Sequence, residues 1–178
     1  MEVHAAQREL RLVYRGGAIG QLVSGLIWLG SAALGTWGTS RQAILFLVIG
    51  GMFIFPLTTL GLLLLGGPTR VSAGNPLHGL GAQVALVLPL TLPVVGAAAM
   101  HRLDWFYPAF MVALGAHYLP FVFLYGMRLF GLLAVGLVAL GLAMSQQSAG
   151  GWADPAWITG AVLLLFSAAG WMATRHER

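Results

Sequence analysis

Residues Asp104–Arg128 read DWFYPAFMVALGAHYLPFVFLYGMR, an apolar stretch long enough to cross a membrane as a helix. A helix rises about 1.5 Å per residue, so about twenty apolar residues span a hydrocarbon core that is about 30 Å thick. Apolar blocks of similar length recur along the chain, which is 58% hydrophobic and only 8% charged. An ordinary soluble domain is about 25% charged. The composition therefore predicts an integral membrane protein whose first partner is the lipid bilayer.

Six apolar blocks are present, and none alternates between polar and apolar residues as a barrel strand does. Because lipid offers no hydrogen-bond partner to the backbone, such blocks fold as helices. We predict an all-α integral membrane protein with a single domain, residues 1–178. Its bundle would contain six transmembrane helices, at about residues 16–37, 43–65, 82–100, 105–125, 129–145 and 156–173. They are called predicted helices 1 to 6.

Arginine placement predicts the orientation. The chain has no lysine, and its nine basic residues are all arginines at the ends of the predicted helices. Arg41 and Arg102 fall on one side of the membrane, whereas seven fall on the side of both termini: Arg8, Arg11, Arg15, Arg70, Arg128, Arg175 and Arg178. Since the richer side faces the cytoplasm, both termini should be cytoplasmic. Topology explains the basic charge better than nucleic-acid binding does, so no nucleic-acid partner is expected.

Residues near the helix ends carry three smaller expectations. Tryptophans prefer the membrane interface, and the topology would gather Trp37, Trp105, Trp152 and Trp157 on the outer side. The N-terminal RELRLVYR would form a short interfacial helix with Leu10, Val13 and Tyr14 in the bilayer and its arginines on anionic lipid. Asp104 would cap the start of predicted helix 4.

Prolines interrupt three neighbouring predicted helices. Pro56 lies in helix 2, Pro89 and Pro93 lie in helix 3, and Pro120 lies in helix 4. A proline inside a helix removes one backbone hydrogen bond and clashes with the preceding turn, so these helices should be kinked. Interrupted helices expose backbone carbonyls to midplane substrates in transporters, but prolines are also common in ordinary membrane helices. The polar residues Thr58, Thr59, Thr91 and Gln83 accompany the breaks.

His117 is an ionisable side chain inside predicted helix 4, close to Pro120. Because an ionisable group is costly in hydrocarbon, it should face the bundle or a cavity. Tyr107, Met111, Leu114, Tyr118 and Tyr125 should fall close to one face of the same helix, with His117 about 100° round from Tyr118. His117 would serve either as a proton relay or ligand contact, or as a neutral group that hydrogen-bonds a neighbouring helix. It has no ligand partner three or four residues away, so we expect no metal site and no cofactor.

Small residues line one face of predicted helix 1. Gly16, Gly20 and Ser24 recur every four residues, a spacing that lets two helices approach closely. This face would pack either against another helix of the same chain or against a second copy in a homo-oligomer.

Two blocks of the sequence resemble a known family. NPLHGLGAQVALVLPLTLP (residues 75–93) and WFYPAFMVALGAHYLPFVFLYGM (residues 105–127) are similar to a bacterial family of small integral membrane proteins of unknown function. The resemblance is most specific in FYPAF, GAHYLPF and LYGM. It implies a multi-pass protein of the bacterial cytoplasmic (inner) membrane and draws attention to Tyr107, His117, Tyr118 and Pro120, without assigning them roles.

Three functions follow from these features. The first is a small-solute transporter or channel with a mostly apolar cavity between helices 2 to 4, which would take a small neutral or apolar ligand. Its lining would be His117, Tyr118, Tyr107, Met111, Thr58, Thr59, Thr91 and Gln83. The second is a structural or regulatory membrane subunit without catalytic activity. The third and most remote is an intramembrane enzyme that uses His117; no HExxH, GxSxG, GxGxxG or phosphate-loop motif is present, and no catalytic residue is predicted.

Overall fold

A computed structural model describes residues 2–147 and 150–175, so Arg178 lies outside the described part. The described chain is helical and has no strand. Its helices are α1 (Val3–Tyr14), α2 (Ala18–Trp37), α3 (Ser40–Met52), α4 (Ile54–Leu64), α5 (His78–His101), α6 (Phe106–Tyr118), α7 (Phe121–Tyr125), α8 (Leu129–Ser145) and α9 (Asp154–Thr174). The prediction of an all-α protein is confirmed.

The helices run between two ends of the bundle. At the terminal end, which holds α1 and the end of α9, Arg15 donates from Nη2 to the carbonyl of Leu65 at 3.1 Å. At the opposite end, the rings of Trp37 and Trp157 lie 5.9 Å apart, centroid to centroid. Trp152 and Trp105 donate there to carbonyls of the chain, at 3.2 Å in each case. The four tryptophans therefore gather at one end, as expected.

Several helices are long and apolar enough to cross a membrane. Four continuous segments meet this description, namely Val3–Trp37, His78–His101, Leu103–Tyr125 and Asp154–Thr174. The pair α3 and α4 adds a fifth if it is one bent span. Helix α8 has the predicted bounds but only 17 residues. Length and composition thus support four to five spans, whereas the sequence predicted six.

The predicted kink in helix 2 is present. The chain bends by 55° between α3 and α4. Phe53 separates the two helices, and Pro56 is the third residue of α4. A proline fits this first turn because the N–H groups there have no intrahelical partner. The proline therefore starts a new helix rather than distorting one.

The other two proline sites differ from each other. Helix α5 continues from His78 to His101 with Pro89 and Pro93 inside it, so these prolines do not end the helix, and the kink expected there stays a prediction. Flanking residues keep the helix continuous, as membrane helices often allow. At Pro120, in contrast, α6 ends at Tyr118 and α7 begins at Phe121. The N–H of Leu119 donates to the carbonyl of Ala116, which the proline leaves without its usual donor, at 3.2 Å.

Two expectations near the helix ends are wrong. Asp104 does not cap α6; it lies in the 3₁₀ turn Leu103–Trp105 and pairs with Arg102 at 3.6 Å. Leu10 and Val13 do not enter the bilayer, since each is only 5% exposed and packs in the protein core. Helix α1 packs against α7 and the loop before α5, and a 3₁₀ turn with two positive-φ glycines, Gly16 (62°) and Gly17 (77°), separates it from α2.

The long connection between α4 and α5 is fastened to α1. The backbone N–H of Ser72 donates to Glu9 Oε1 at 2.6 Å, and Asn75 Nδ2 donates to Glu9 Oε2 at 2.8 Å. Asn75 also donates to the carbonyl of Ala6 at 3.1 Å. The loop therefore has a fixed position at the terminal end.

Glycines set the closest helix contacts. A Cβ built on Gly25 of α2 would lie 3.1 Å from the carbonyl of Gly160 in α9, and one built on Gly160 would lie 3.1 Å from the carbonyl of Gly25. The small-residue face of predicted helix 1 is also used within the chain. A Cβ on Gly16 would lie 2.7 Å from Thr174, and one on Gly20 would lie 3.6 Å from Thr58. A homo-oligomer through Gly16, Gly20 and Ser24 stays a prediction.

Candidate functional site

The predicted residues Tyr107 and Met111 are part of the packed core. Both are 0% exposed. The hydroxyl of Tyr107 lies 2.7 Å from Ser31 Oγ, and Ser31 Oγ donates to the carbonyl of Ala43 at 2.9 Å. Either hydroxyl can be the donor in this contact, because the Tyr107 hydroxyl can also donate to the carbonyl of Ser31 at 3.3 Å. Sequence reasoning missed Ser31, whose role depends on a contact between distant helices.

His117 and Tyr118 lie next to each other, in the half of the bundle near the terminal end. Their ring centroids are 5.6 Å apart, and His117 lies 5.1 Å from the ring of Phe121. His117 faces the backbone of Val84 in α5, and its Nδ1 is buried without a hydrogen-bond partner. The hydroxyl of Tyr118 lies beside Ser24 of α2.

Thr58 is the second predicted residue with an unpartnered polar atom. Its Oγ1 is buried without a hydrogen-bond partner and lies against Gly20 of α2. The neighbouring Thr59 instead donates to the carbonyl of Phe55 in its own helix at 3.0 Å. The two threonines are therefore adjacent in sequence but differ in how their hydroxyls are satisfied.

Thr91 and Gln83, the remaining residues of the predicted lining, differ from Thr58 and His117. Thr91 donates to the carbonyl of Leu88 in its own helix at 2.7 Å. Gln83 is exposed on α5. Neither has a buried polar atom without a partner.

Gln21 belongs with the unpartnered group, although it was absent from the predicted lining. It is 2% exposed, and both Nε2 and Oε1 of its amide are buried without a partner. The sequence signal for Gln21 was an amide inside an otherwise apolar helix. The same signal is also typical of a glutamine whose side chain extends toward the helix end. The periodicity of the sequence does not distinguish these two arrangements.

Most of these polar groups lie at similar depths, whereas Gln21, only three residues into α2, lies about 4.5 Å from the terminal end. Counted from the terminal end, Ser24 is six residues into α2, Thr58 is six residues from the end of α4, and Val84 is six residues into α5. At 1.5 Å per residue each is about 9 Å along its helix. His117 is eight residues from the end of α7, or about 12 Å. We call Gln21, Ser24, Thr58, His117 and Tyr118 the polar layer.

The helices around the polar layer have different partners. α4 packs mainly against α2, and α5 packs mainly against α6. The polar layer is contributed by α2, α4 and α6, and the backbone of α5 faces it at Val84. Within it, the side chains of Tyr118 and Ser24 bring α6 and α2 together.

A family comparison covers nearly the whole chain, because the model of one family matches residues 3–173. The chain belongs to the DUF7010 family, a family of unknown function. No curated protein and no solved structure matches the chain. The expected likeness to a family of unknown function is confirmed, whereas bacterial origin and the three motifs stay predictions.

The polar layer of this DUF7010 chain consists of neutral hydrogen-bonding groups: an amide, hydroxyls and an imidazole. No Asp, Glu, Lys or Arg lies deep within α2 to α9. Among the described residues, no three His, Asp or Glu side chains come together as metal ligands would.

Proposed function

We propose that the chain binds a small neutral solute at the polar layer and transports it across the bacterial inner membrane, as a transporter or channel. The observation that carries this proposal is the set of unpartnered atoms on Gln21, Thr58 and His117. Leaving a buried polar group unpaired costs about 1–3 kcal/mol. Native proteins contain few such groups, and each calls for a specific explanation. A solute or water that pairs with them provides one.

The proposal includes six passages of the membrane. Helix α8, at 17 residues, is about 26 Å long, which approaches the thickness of the hydrocarbon core. Six units follow one another between the two ends of the bundle. They are α2, the pair of α3 with α4, α5, the pair of α6 with α7, α8, and α9. Seven of nine arginines then lie on the side of the termini, which we assign to the cytoplasm.

Helix breaks lie near the polar layer. The bend at Phe53 is five residues from Thr58, and the break at Pro120 is three residues from His117. Broken helices provide termini and backbone groups at a site inside a membrane. The breaks would also let α4 and α7 move relative to α3 and α6, which a transport cycle requires.

Adjacent threonines provide a matched test. The purified protein would be reconstituted in phosphatidylcholine vesicles, and vesicle swelling in gradients of glycerol and of urea would be followed by light scattering. We expect faster swelling with the wild type than with empty vesicles, and loss of the difference in Thr58→Val. Thr59→Val, whose hydroxyl bonds its own helix, should swell as the wild type does. Equal rates in all four preparations, for both solutes, would count against transport of this class.

A structural or regulatory subunit is the second candidate, and the surface of α5 favours it. Only Val84 and Val95 of this helix are buried, whereas Leu90 is 74% and Val94 is 71% exposed. Lipid or a partner helix would cover this face. The third function, an enzyme centred on His117, needs a second catalytic group within about 3 Å. His117 Nδ1 has no hydrogen-bond partner among the described residues.

A further inference from the structure

A second site, separate from the polar layer, lies at the terminal end of the bundle. A cavity of about 510 Å³ opens between α1, the turn that joins α7 to α8, and the end of α9. Its ionisable lining residues are His4 and Arg11 of α1 and Arg128 at the start of α8. No Asp or Glu is among the described residues that line it. The positive charges of Arg11 and Arg128 attract anions.

The walls of the cavity are held in place by hydrogen bonds to the backbone. Gln7, which is 7% exposed, donates from Nε2 to the carbonyl of Phe123. Arg11 donates from Nη1 to the carbonyl of Tyr125 at 2.7 Å. His4, Gln7 and Arg11 are spaced three and four residues apart, so one face of α1 presents all three to the cavity. These contacts fix α1 against the end of α7, so the helix that carries His4 and Arg11 is held in place before a ligand binds.

Gly126 leaves room for this contact. Its φ is 62°, in the left-handed region that favours glycine. A Cβ at this position would lie only 2.7 Å from Gln7 Oε1. A larger residue would displace the amide of Gln7, whose Nε2 donates to the carbonyl of Phe123.

The chemistry of the lining selects the ligand. A guanidinium presents paired N–H groups that match two oxygens of a phosphate, and such charge-assisted bonds are the strongest hydrogen bonds in proteins. Ligand cavities typically measure about 300–1,000 Å³, so this cavity admits a phosphate group with an organic substituent. We propose that it binds a phosphate mono- or diester through Arg128 and His4, with Arg11 adding positive charge. The ester is either a soluble metabolite or the headgroup of an anionic lipid at the membrane surface.

The test uses the full chain in nanodiscs of phosphatidylcholine, titrated calorimetrically with sn-glycerol 3-phosphate. In a parallel arm, the chain is exchanged into nanodiscs that contain phosphatidylglycerol, and native mass spectrometry counts the lipids retained. The variants are Arg128→Gln and His4→Gln. The control is Arg8→Gln, which removes an exposed arginine of α1 that does not line the cavity. Thermal unfolding of each variant verifies that it is folded.

We expect Arg128→Gln to weaken binding about tenfold or more, the loss of one charge-assisted hydrogen bond. His4→Gln should weaken it less, and Arg8→Gln should leave it unchanged. Binding of glycerol 3-phosphate with this pattern supports a soluble ester. Retention of phosphatidylglycerol with this pattern, without binding of glycerol 3-phosphate, supports a lipid headgroup. The proposal is overturned if neither anion binds, or if Arg8→Gln weakens binding as much as Arg128→Gln does.

Discussion

The hydroxyl of Tyr107 lies 2.7 Å from Oγ of Ser31, and through it α6 is joined to α2 and to the backbone of α3 at Ala43. This network near the opposite end leaves the polar groups of Tyr107 and Ser31 paired. The polar layer nearer the terminal end differs, because Gln21, Thr58 and His117 have buried atoms without partners. Among the residues that the structure describes, the buried side-chain atoms without a hydrogen-bond partner therefore all belong to the polar layer.

The hydrogen bonds between Tyr107 and Ser31 predict that removing either hydroxyl destabilises the protein. Tyr107→Phe removes one donor from a fully buried pair and should lower the free energy of unfolding by about 0.6–1.5 kcal/mol. Ser31→Ala should also destabilise, because it leaves the Tyr107 hydroxyl with only the 3.3 Å bond to the Ser31 carbonyl. The double variant should lose less than the sum of the two changes. Denaturant unfolding in mixed micelles measures all three; strictly additive losses would show that the two hydroxyls are not coupled.

Two glycines of α8 form a matched pair. A Cβ at Gly141 would lie 2.8 Å from the backbone carbonyl of Pro108, whereas a Cβ at Gly136 would meet nothing within 4 Å. Gly141→Ala should therefore separate α8 from α6 and destabilise the protein by about 1–3 kcal/mol. Gly136→Ala should be neutral or stabilise it by up to about 1 kcal/mol, since alanine is the better helix former. Similar melting temperatures for the two variants would contradict the close crossing of α6 and α8.

The sequence predicted those features that depend on local chemistry. Helix α8 has the expected bounds, 129–145, because an unbroken apolar run between Arg128 and two glutamines leaves few alternatives. The breaks near Pro56 and Pro120 follow from a missing backbone donor. Pro89 and Pro93 show the limit of this rule, since the same chemistry is accommodated inside α5.

Features that depend on whether a helix surface contacts lipid or protein could not be predicted from the sequence. The apolar face of α1 has the same periodicity whether it meets lipid or protein, so Leu10 and Val13 were assigned to the bilayer and are instead in the core. In the candidate site, His117 and Thr58 were recognised as polar groups in apolar helices. Which of the polar residues lacks a partner depends on neighbouring helices, and for that reason Gln21 and Ser31 were missed.

The hydrogen bonds that hold the loop before α5 against Glu9 of α1 should depend on pH. The backbone N–H of Ser72, and next the side chain of Asn75, lower the pKa of Glu9 from its usual 4.5. A lowered pKa means that the carboxylate contributes stability above pH 4.5 and loses it as the pH falls through the lowered pKa. Amide hydrogen exchange of residues 71–77 should therefore accelerate in acid. Glu9→Gln should exchange faster at neutral pH and show little further acceleration in acid; protection that is independent of pH in the wild type would contradict the role of Glu9.

Replacing the unpaired amide of Gln21 should raise the stability of the protein, whereas removing the hydroxyl of Tyr107 should lower it. Gln21→Met keeps the length of the side chain and removes two buried polar atoms that have no partner. The variant should be more stable than the wild type by about 1–3 kcal/mol in the absence of solute. If transport uses this amide, glycerol or urea flux should fall even though stability rises. A loss of stability in Gln21→Met would show that the amide has a partner in the membrane.

The most direct measurement of the central claim is the water accessibility of Thr58. The chain has no cysteine, so a single Thr58→Cys variant reacts without background. Leu60→Cys on the same helix, where the side chain is 51% exposed on an apolar surface, is the control. Only a thiol in contact with water ionises readily and reacts with a charged methanethiosulfonate reagent. We predict that Thr58→Cys reacts in reconstituted vesicles, that glycerol or urea slows the reaction, and that Leu60→Cys stays unreactive. An unreactive Thr58→Cys in folded protein would mean that the polar layer is dry and would contradict a solute site there.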